Sequence, residues 1–242
     1  THPQTLRYAS TRLPSEAHGI HSKFGPTMFD QEELPNRPAA MLALQKDPRD
    51  IILDSYVEMR RDLQALNLDA SVAAARRLHA QCPPGTDIAT LQARLYQFNV
   101  EAIEAEGAEW PAGLNPAAIH RAGFGWHLFP NFIVLLSLDG SLCYRTRPHP
   151  DNPEECVWDI WAFGRFAPGR EPKPVRTVVD RYEDALELNR FLKDDLLNLP
   201  EVQRGMHSRG LPAIRFNPVQ EQCQANLHRV LHEMIEEAER RQ

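Results

Sequence analysis

Two adjacent carboxylates stand out in the run Phe191 to Gly210, F-L-K-D-D-L-L-N-L-P-E-V-Q-R-G-M-H-S-R-G. Asp194 and Asp195 sit among large apolar residues in a stretch that reads as helix, where neighbours differ by about 100°. At most one of them can share the interior face with Phe191, Leu192, Asn198 and Leu199. An inward Asp costs stability unless a partner compensates its charge, and a metal ion is one such partner. Both could equally decorate an exposed turn. His2, in T-H-P-Q-T-L, taken alone reads as solvated. His228 and His232 have the four-residue spacing of a bidentate pair, but H-R-V-L-H-E lacks the order of a zincin motif and is simply amphipathic. His127 and His149, beside Phe129-Pro130 and flanked by Pro148 and Pro150, read as structural. The four cysteines, Cys82, Cys143, Cys156 and Cys223, form no C-x-x-C and no C-x-H, so no zinc ribbon or iron-sulfur cluster can be built from them. They read as buried small hydrophobes in a reducing compartment. Neither a glycine-rich phosphate loop nor G-x-S-x-G is present.

The elements that must position these residues follow from periodicity. Residues 1–40 gather Pro3, Pro14, Gly19, Gly25, Pro26, Pro35 and Pro38 and read as an extended segment or lid. Apolar residues at three- and four-residue intervals predict helices over Asp47–Leu66, Ser71–His79 and Asp87–Glu104. From Gly123 the pattern changes to aromatic and branched residues, predicting strands over Phe124–Trp126, Phe132–Leu138, Ser141–Arg147 and Cys156–Phe166. Asp139-Gly140 is a two-residue hairpin signal, and Pro148–Glu155 a longer connection. After the link Ala167–Pro174, one more strand is expected at Val175–Val179, then helices at Tyr182–His207 and Pro218–Arg241. The last carries Leu227, Val230, Leu231, Met234 and Ile235 on one side. Helices, then antiparallel strands, then a closing helix is an α+β order, with a curved sheet wrapped against a helix and an apolar space between them.

Composition closes off other classes. In 242 residues, 27 Lys plus Arg against 33 Asp plus Glu give a net charge of -6 spread along the chain, which offers no basic stripe to a nucleic-acid backbone. The longest apolar run, Phe132 to Leu136, is too short to span a bilayer. A hydrophobic content of 42% is near the globular average, and 242 residues fit one large domain or two small ones.

Read together, three segments resemble a known family. Trp126-His127-Leu128-Phe129-Pro130-Asn131, Arg147-Pro148-His149-Pro150, and D-x-x-N-L-P-x-V-Q-R-G-x-x-S-R-G from Asp195 to Gly210 are similar to the catalytic domain of the alpha subunit of Rieske-type aromatic ring-hydroxylating oxygenases. Thr1-His2-Pro3-Gln4-Thr5 resembles the second half of that family's H-x-x-x-x-H motif. The resemblance implies a single catalytic domain over 1–242 with a START-like helix-grip fold, and a mononuclear Fe(II) held by two histidines and one carboxylate, with open positions for oxygen. Residue matching makes His2 one of the histidines and Asp195, three before Asn198, the carboxylate, with Asn198 orienting it. Phe191 and Leu192, one turn before Asp195, are the implied substrate-facing residues, with Phe132, Leu135 and Phe163 as further candidates from the sheet.

The family's route takes electrons from NAD(P)H through a separate reductase, sometimes a ferredoxin, to the 2Fe-2S cluster of a Rieske domain and on to the iron of a neighbouring subunit. A homotrimer or an alpha-beta hexamer in the cytoplasm is therefore expected. The products would be those of dihydroxylation, monohydroxylation or demethylation of an aromatic substrate with O2. The other histidine and the Rieske domain would lie before Thr1, so the chain reads as a catalytic domain cut through its metal site, catalytically silent alone. The competing expectation is a metal-free helix-grip module that carries an apolar small molecule.

Overall fold

The structure is a computed structural model that describes residues 11–12, 15–24, 32–33, 47–186, 192–216 and 221–241. Its N-terminal strands are β1 (Thr11–Arg12), β2 (Ser15–His18), β3 (His21–Phe24) and β4 (Glu32–Glu33). Four helices follow, α1 (Pro48–Glu58), α2 (Asp69–Gln81), α3 (Ile88–Ala105) and α4 (Pro116–Ala122), then β5 (Gly125–Leu128), β6 (Phe132–Leu136), β7 (Gly140–Pro148) and β8 (Cys156–Gly164). The chain closes with α5 (Tyr182–Ala185), α6 (Lys193–Met206) and α7 (Gln222–Arg240). One curved antiparallel sheet runs β2-β3-β5-β6-β7-β8, and β1 pairs with β4 apart from it.

The expected α+β helix-grip is the fold, with differences in its parts. The hairpin β2–β3 adds two strands at the β5 side of the sheet, drawn from the stretch expected to be an extended lid. Helix α7 packs on these two strands. Its grip is polar as well as apolar. Asn226, 5% exposed, donates to the carbonyls of Gly19 and His21 and to Ser22 Oγ, while Leu231, Met234 and Ile235 of the expected apolar side stay exposed. The expected strand Val175–Val179 is not a strand, and its valines face solvent. Over Tyr182–His207 the described residues form two helices, with 187–191 outside the description.

Local chemistry explains most boundaries. Asp47 caps α1 by accepting from the Arg49 N–H, with Pro48 at the first helical position. Asp87 and Asn115 cap α3 and α4 the same way, from Thr90 and Ala118. The helix expected to run to Leu66 passes into a π-turn at Met59–Leu63 and stops at Gln64, whose φ is 56°. The connector that follows is buried, with Ala65 and Leu66 only 1% and 3% exposed, and Leu66 is also left-handed at φ 65°.

Helix α2 lacks a cap of its own, because Leu68 stands at its cap position. Asp139, in the turn between β6 and β7, supplies one from elsewhere in the chain, accepting from the N–H groups of Leu68 and Ser71 at 3.0 and 2.9 Å. That use of Asp139 displaces the expected two-residue turn by one position: Gly140 begins β7 and Ser137 N–H donates to its carbonyl. A side chain at 140 would place Cβ 2.6 Å from the Leu66 carbonyl oxygen, so only glycine fits. Arg165 N–H donates to the Asp139 carbonyl, and Ser71 Oγ donates to Asn99 of α3. This turn therefore joins the helical lobe to the sheet. The lobe has its own core, from Ile52, Leu78, Leu91, Leu95 and Phe98. A second core lies on the sheet and holds the candidate site.

Candidate active site

Helix α6 is fixed to the sheet at both ends. Near its start Leu192 and Leu196, 2% and 7% exposed, sink into a cluster with Leu63, Ala65, Leu66 and Leu142. Met59, Phe124, Leu135, Tyr144 and Trp158 pack against that cluster. Near the helix's end, Gln203 Nε2 donates to the Glu154 carbonyl at 2.8 Å, and His207 Nε2 lies 2.7 Å from Glu154 Oε2. Hydrogen bonds from Gln203 and His207 hold the Glu154 carboxyl below the usual range. Two buried leucines four apart and a glutamine further on define one face of α6. Asp195, adjacent to Leu196, lies half-buried at the rim of that face.

The charge of Asp195 acts on a half-buried tyrosine. The Tyr144 phenol is pushed well above its ordinary value, first by burial and then by the Asp195 charge. The Tyr144 ring lies 5.4 Å from that of Trp158. The Trp158 indole nitrogen is buried and has no hydrogen-bond partner among the described residues. The wall facing α6 is thus apolar, with one carboxylate, one phenol and one unused N–H donor.

Strand alternation decides which candidates share this wall. Leu135 pairs with Leu142, and Tyr144 with Ile133 and Ile160, so these residues line the face turned to α6. Phe132 pairs with Arg145 and its ring lies 6.1 Å from Trp161, while Phe163 pairs with Ser141 and is 54% exposed. Both belong to the opposite face, together with the Arg145–Asp159–Arg147 ion trio. Of the expected sheet residues, Leu135 therefore faces α6 while Phe132 and Phe163 lie on the other face, because a period of two puts residues three apart on opposite faces. Leu192 and Leu135 are brought together, and Asn198 is exposed. His2, Phe191 and the Asp194 side chain lie outside the described residues.

The remaining histidines are engaged elsewhere. The ring of His228 is 5.1 Å from that of Phe216, and His232 lies beside Glu236 on the exposed end of α7. His127 is 8% exposed; burial lowers its pKa and a hydrogen bond with the Pro130 backbone opposes the shift. Among the described residues no group of three or more His, Cys, Asp and Glu side chains could hold a metal. Asp195 supplies one oxygen donor, so these residues by themselves do not fit a three-ligand iron centre.

Tyr144 and Trp158 were not singled out from sequence. The signal was available in strand parity, since Leu142 and Tyr144 must share a face once Leu142 is inward.

A family model for the ring hydroxylating alpha subunit (catalytic domain) matches residues 74–237, from within α2 to the last turns of α7. The chain belongs to this family. Neither a search of curated proteins nor one of solved structures gives a significant match. Membership of the ring-hydroxylating alpha subunits makes the domain one of an oxidoreductase, a family of oxygenases that acts on aromatic rings and generally uses a non-haem iron. The matched span contains β5–β8, α6 and Asp195, so the sheet and helix sides of the wall lie within it, while Met59, Leu63, Ala65 and Leu66 of the same cluster precede it. No described helix is long and apolar enough to cross a membrane.

Proposed function

We propose that this chain is the substrate-binding and iron-binding part of a Rieske-type oxygenase that mono- or dihydroxylates, or demethylates, an aromatic substrate with O2. Electrons would come from NAD(P)H through a separate reductase, with or without a ferredoxin, and through a 2Fe-2S cluster carried outside these residues. The observation that carries the reading is Asp195, on the matched catalytic domain, at the rim of an apolar wall. Asp195 and His2 are the proposed protein ligands from this chain, and the iron would supply the oxygen chemistry. Asn198 is proposed to orient the carboxylate.

The chain's own residues orient a flat apolar ligand and keep water from it. Leu192, Leu135, Tyr144 and Trp158, with Phe191, would contact the ring, and the Trp158 N–H would donate to an acceptor on it. A trimer or alpha-beta hexamer in the cytoplasm is part of the same proposal.

Iron content tests it. Asp195→Ala in the natural full-length polypeptide is expected to lose most of its mononuclear iron, measured by metal analysis, while circular dichroism stays that of the parent. Unchanged iron stoichiometry would defeat the ligand assignment and favour a metal-free module that carries an apolar molecule.

A further inference from the structure

We infer that the outer half of α6, hinged at Pro200 and latched to Glu154 by Gln203 and His207, is a gate that admits ligand to the Trp158 side of the apolar wall. This gate rests on the reading of the wall as a substrate site, in which the Trp158 N–H donates to the ligand. That N–H is buried. An acceptor reaches it only when something covering the wall moves aside.

Helix α6 changes character at Pro200. Before it, Leu192 and Leu196 are sunk in the cluster that includes Leu142. After it, residues 201–206 are all exposed, and Val202 and Met206 are 48% and 50% exposed, so little apolar burial holds this half down. Proline has no N–H to return to the Leu196 carbonyl, and its ring crowds that carbonyl. The two halves are therefore joined where the helix is weakest, and a bend is absorbed there at least cost.

The far end is fastened from the side. Gln203 Nε2 donates to the Glu154 carbonyl at 2.8 Å and to Glu154 Oε2 at 3.0 Å, and His207 Nε2 lies 2.7 Å from the same carboxylate oxygen. Glu154 is itself held in place. Its N–H donates to Asn152 Oδ1, Asn152 Nδ2 donates to Glu155 Oε1, and the His149 N–H donates to the Glu155 carbonyl. The acceptor thus sits on a fixed loop and the donors on the half-helix that swings. Bonds between groups as exposed as Glu154 and His207 are weak, which suits a catch that must release. Trp158 lies between the two attachments. On β8, Ala162 pairs with Leu142 of the buried cluster, Glu154 comes two residues before the strand begins, and Trp158 stands between them on the face turned to α6.

The test uses the natural full-length polypeptide, with 2-naphthol as the probe. In a Gln203→Ala/His207→Ala variant, hydrogen exchange read by mass spectrometry should be about tenfold faster for the amides of 201–207 and unchanged for those of β7 and β8. Stopped-flow quenching of tryptophan fluorescence should show 2-naphthol entering and leaving about tenfold faster, with its dissociation constant within about twofold of the parent's. A gate changes the rate of passage and not the wall behind it. Pro200→Ala, which restores the missing N–H, should slow the same amides and both rate constants. Exchange and rates that match the parent in the double variant would overturn the gate and leave the site reading in place. So would a weakened dissociation constant at an unchanged association rate. No saturable 2-naphthol binding by the parent, with exchange altered as expected, would instead defeat the reading of the wall as a substrate site, and the gate's role with it.

Discussion

Two aspartates, one in a turn of the sheet and one on the helix packed against it, meet opposite surroundings. Asp139 is 2% exposed and lies where the helical lobe joins the sheet, with backbone N–H groups of α2 on one carboxylate oxygen. Asp195 is half-buried on α6 and its charge acts on the Tyr144 phenol, whose ring lies against a tryptophan with an N–H unused among the described residues. One oxygen of the first carboxylate caps a helix terminus and serves the fold, while its other oxygen is buried with no partner among the described residues. The second lies on a helix whose leucines pack into an apolar cluster on the sheet. Burial alone therefore does not mark a functional carboxylate; what it faces does.

The contrast is most easily broken at the joint. Gly140→Ala drives Cβ into the Leu66 carbonyl, and Leu66 is already in a left-handed conformation, so neither backbone can yield cheaply. A loss of about 3 kcal/mol is expected, read as a lower urea midpoint at unchanged slope. Asp139→Ala removes the cap of α2 and should cost about 2 kcal/mol.

The same residue gives a pH signature. Burial raises the Asp139 pKa in the folded protein, against hydrogen bonds from Ser71 and Leu68 that lower it. A raised carboxyl pKa means that its contribution is fully present below the unfolded value of about 3.9 and is lost as pH rises through the folded value. Asp139→Asn keeps an acceptor for the two N–H groups and removes the titration. Urea midpoints of the parent, relative to those of the Asn variant, should therefore fall as pH rises from about 4. A parent that gains relative to the variant over that window would show that the hydrogen bonds, not burial, dominate.

How much of this was legible in sequence depended on range. Periodicity located α1, α2, α3 and the strands β5–β8 because each is decided by neighbours three, four or two positions away. Val175–Val179 has the composition of a strand but no strand partner among the described residues, and composition does not report partners. The Ser15–Phe24 hairpin was hidden by its polar residues, Glu16, His18, His21 and Lys23, and is held by β5, more than a hundred residues away. At the candidate site, the register of D-x-x-N-L-P singled out Asp195, but which aromatics face it required the pairing of β6 with β7 and β8. Asp139 reads locally as half of a turn signal. Its use as a remote cap depends on a contact across about seventy residues that no local pattern encodes.

The smallest expected effect sharpens the comparison furthest. Trp158→Phe keeps an aromatic ring against Tyr144 and deletes only the indole portion that carries the buried, unpartnered N–H. At the Asp139 joint, deleting a polar group leaves its partners unsatisfied and costs stability. At Trp158 no partner is left behind, and relief of the unmet donor offsets part of the lost contact, so unfolding free energy should change by less than about 1 kcal/mol. The functional effect should be larger than the structural one. If the N–H is reserved for ligand, aromatic compounds bearing an acceptor oxygen should bind roughly tenfold more weakly to the variant, the equivalent of one hydrogen bond, while the matching compounds without that oxygen bind as before. Titration calorimetry on parent and variant with such matched pairs reads this directly. Equal weakening of both compounds would mean that Trp158 contributes only shape, and a large loss of stability would place it with Asp139 among the residues that hold the fold.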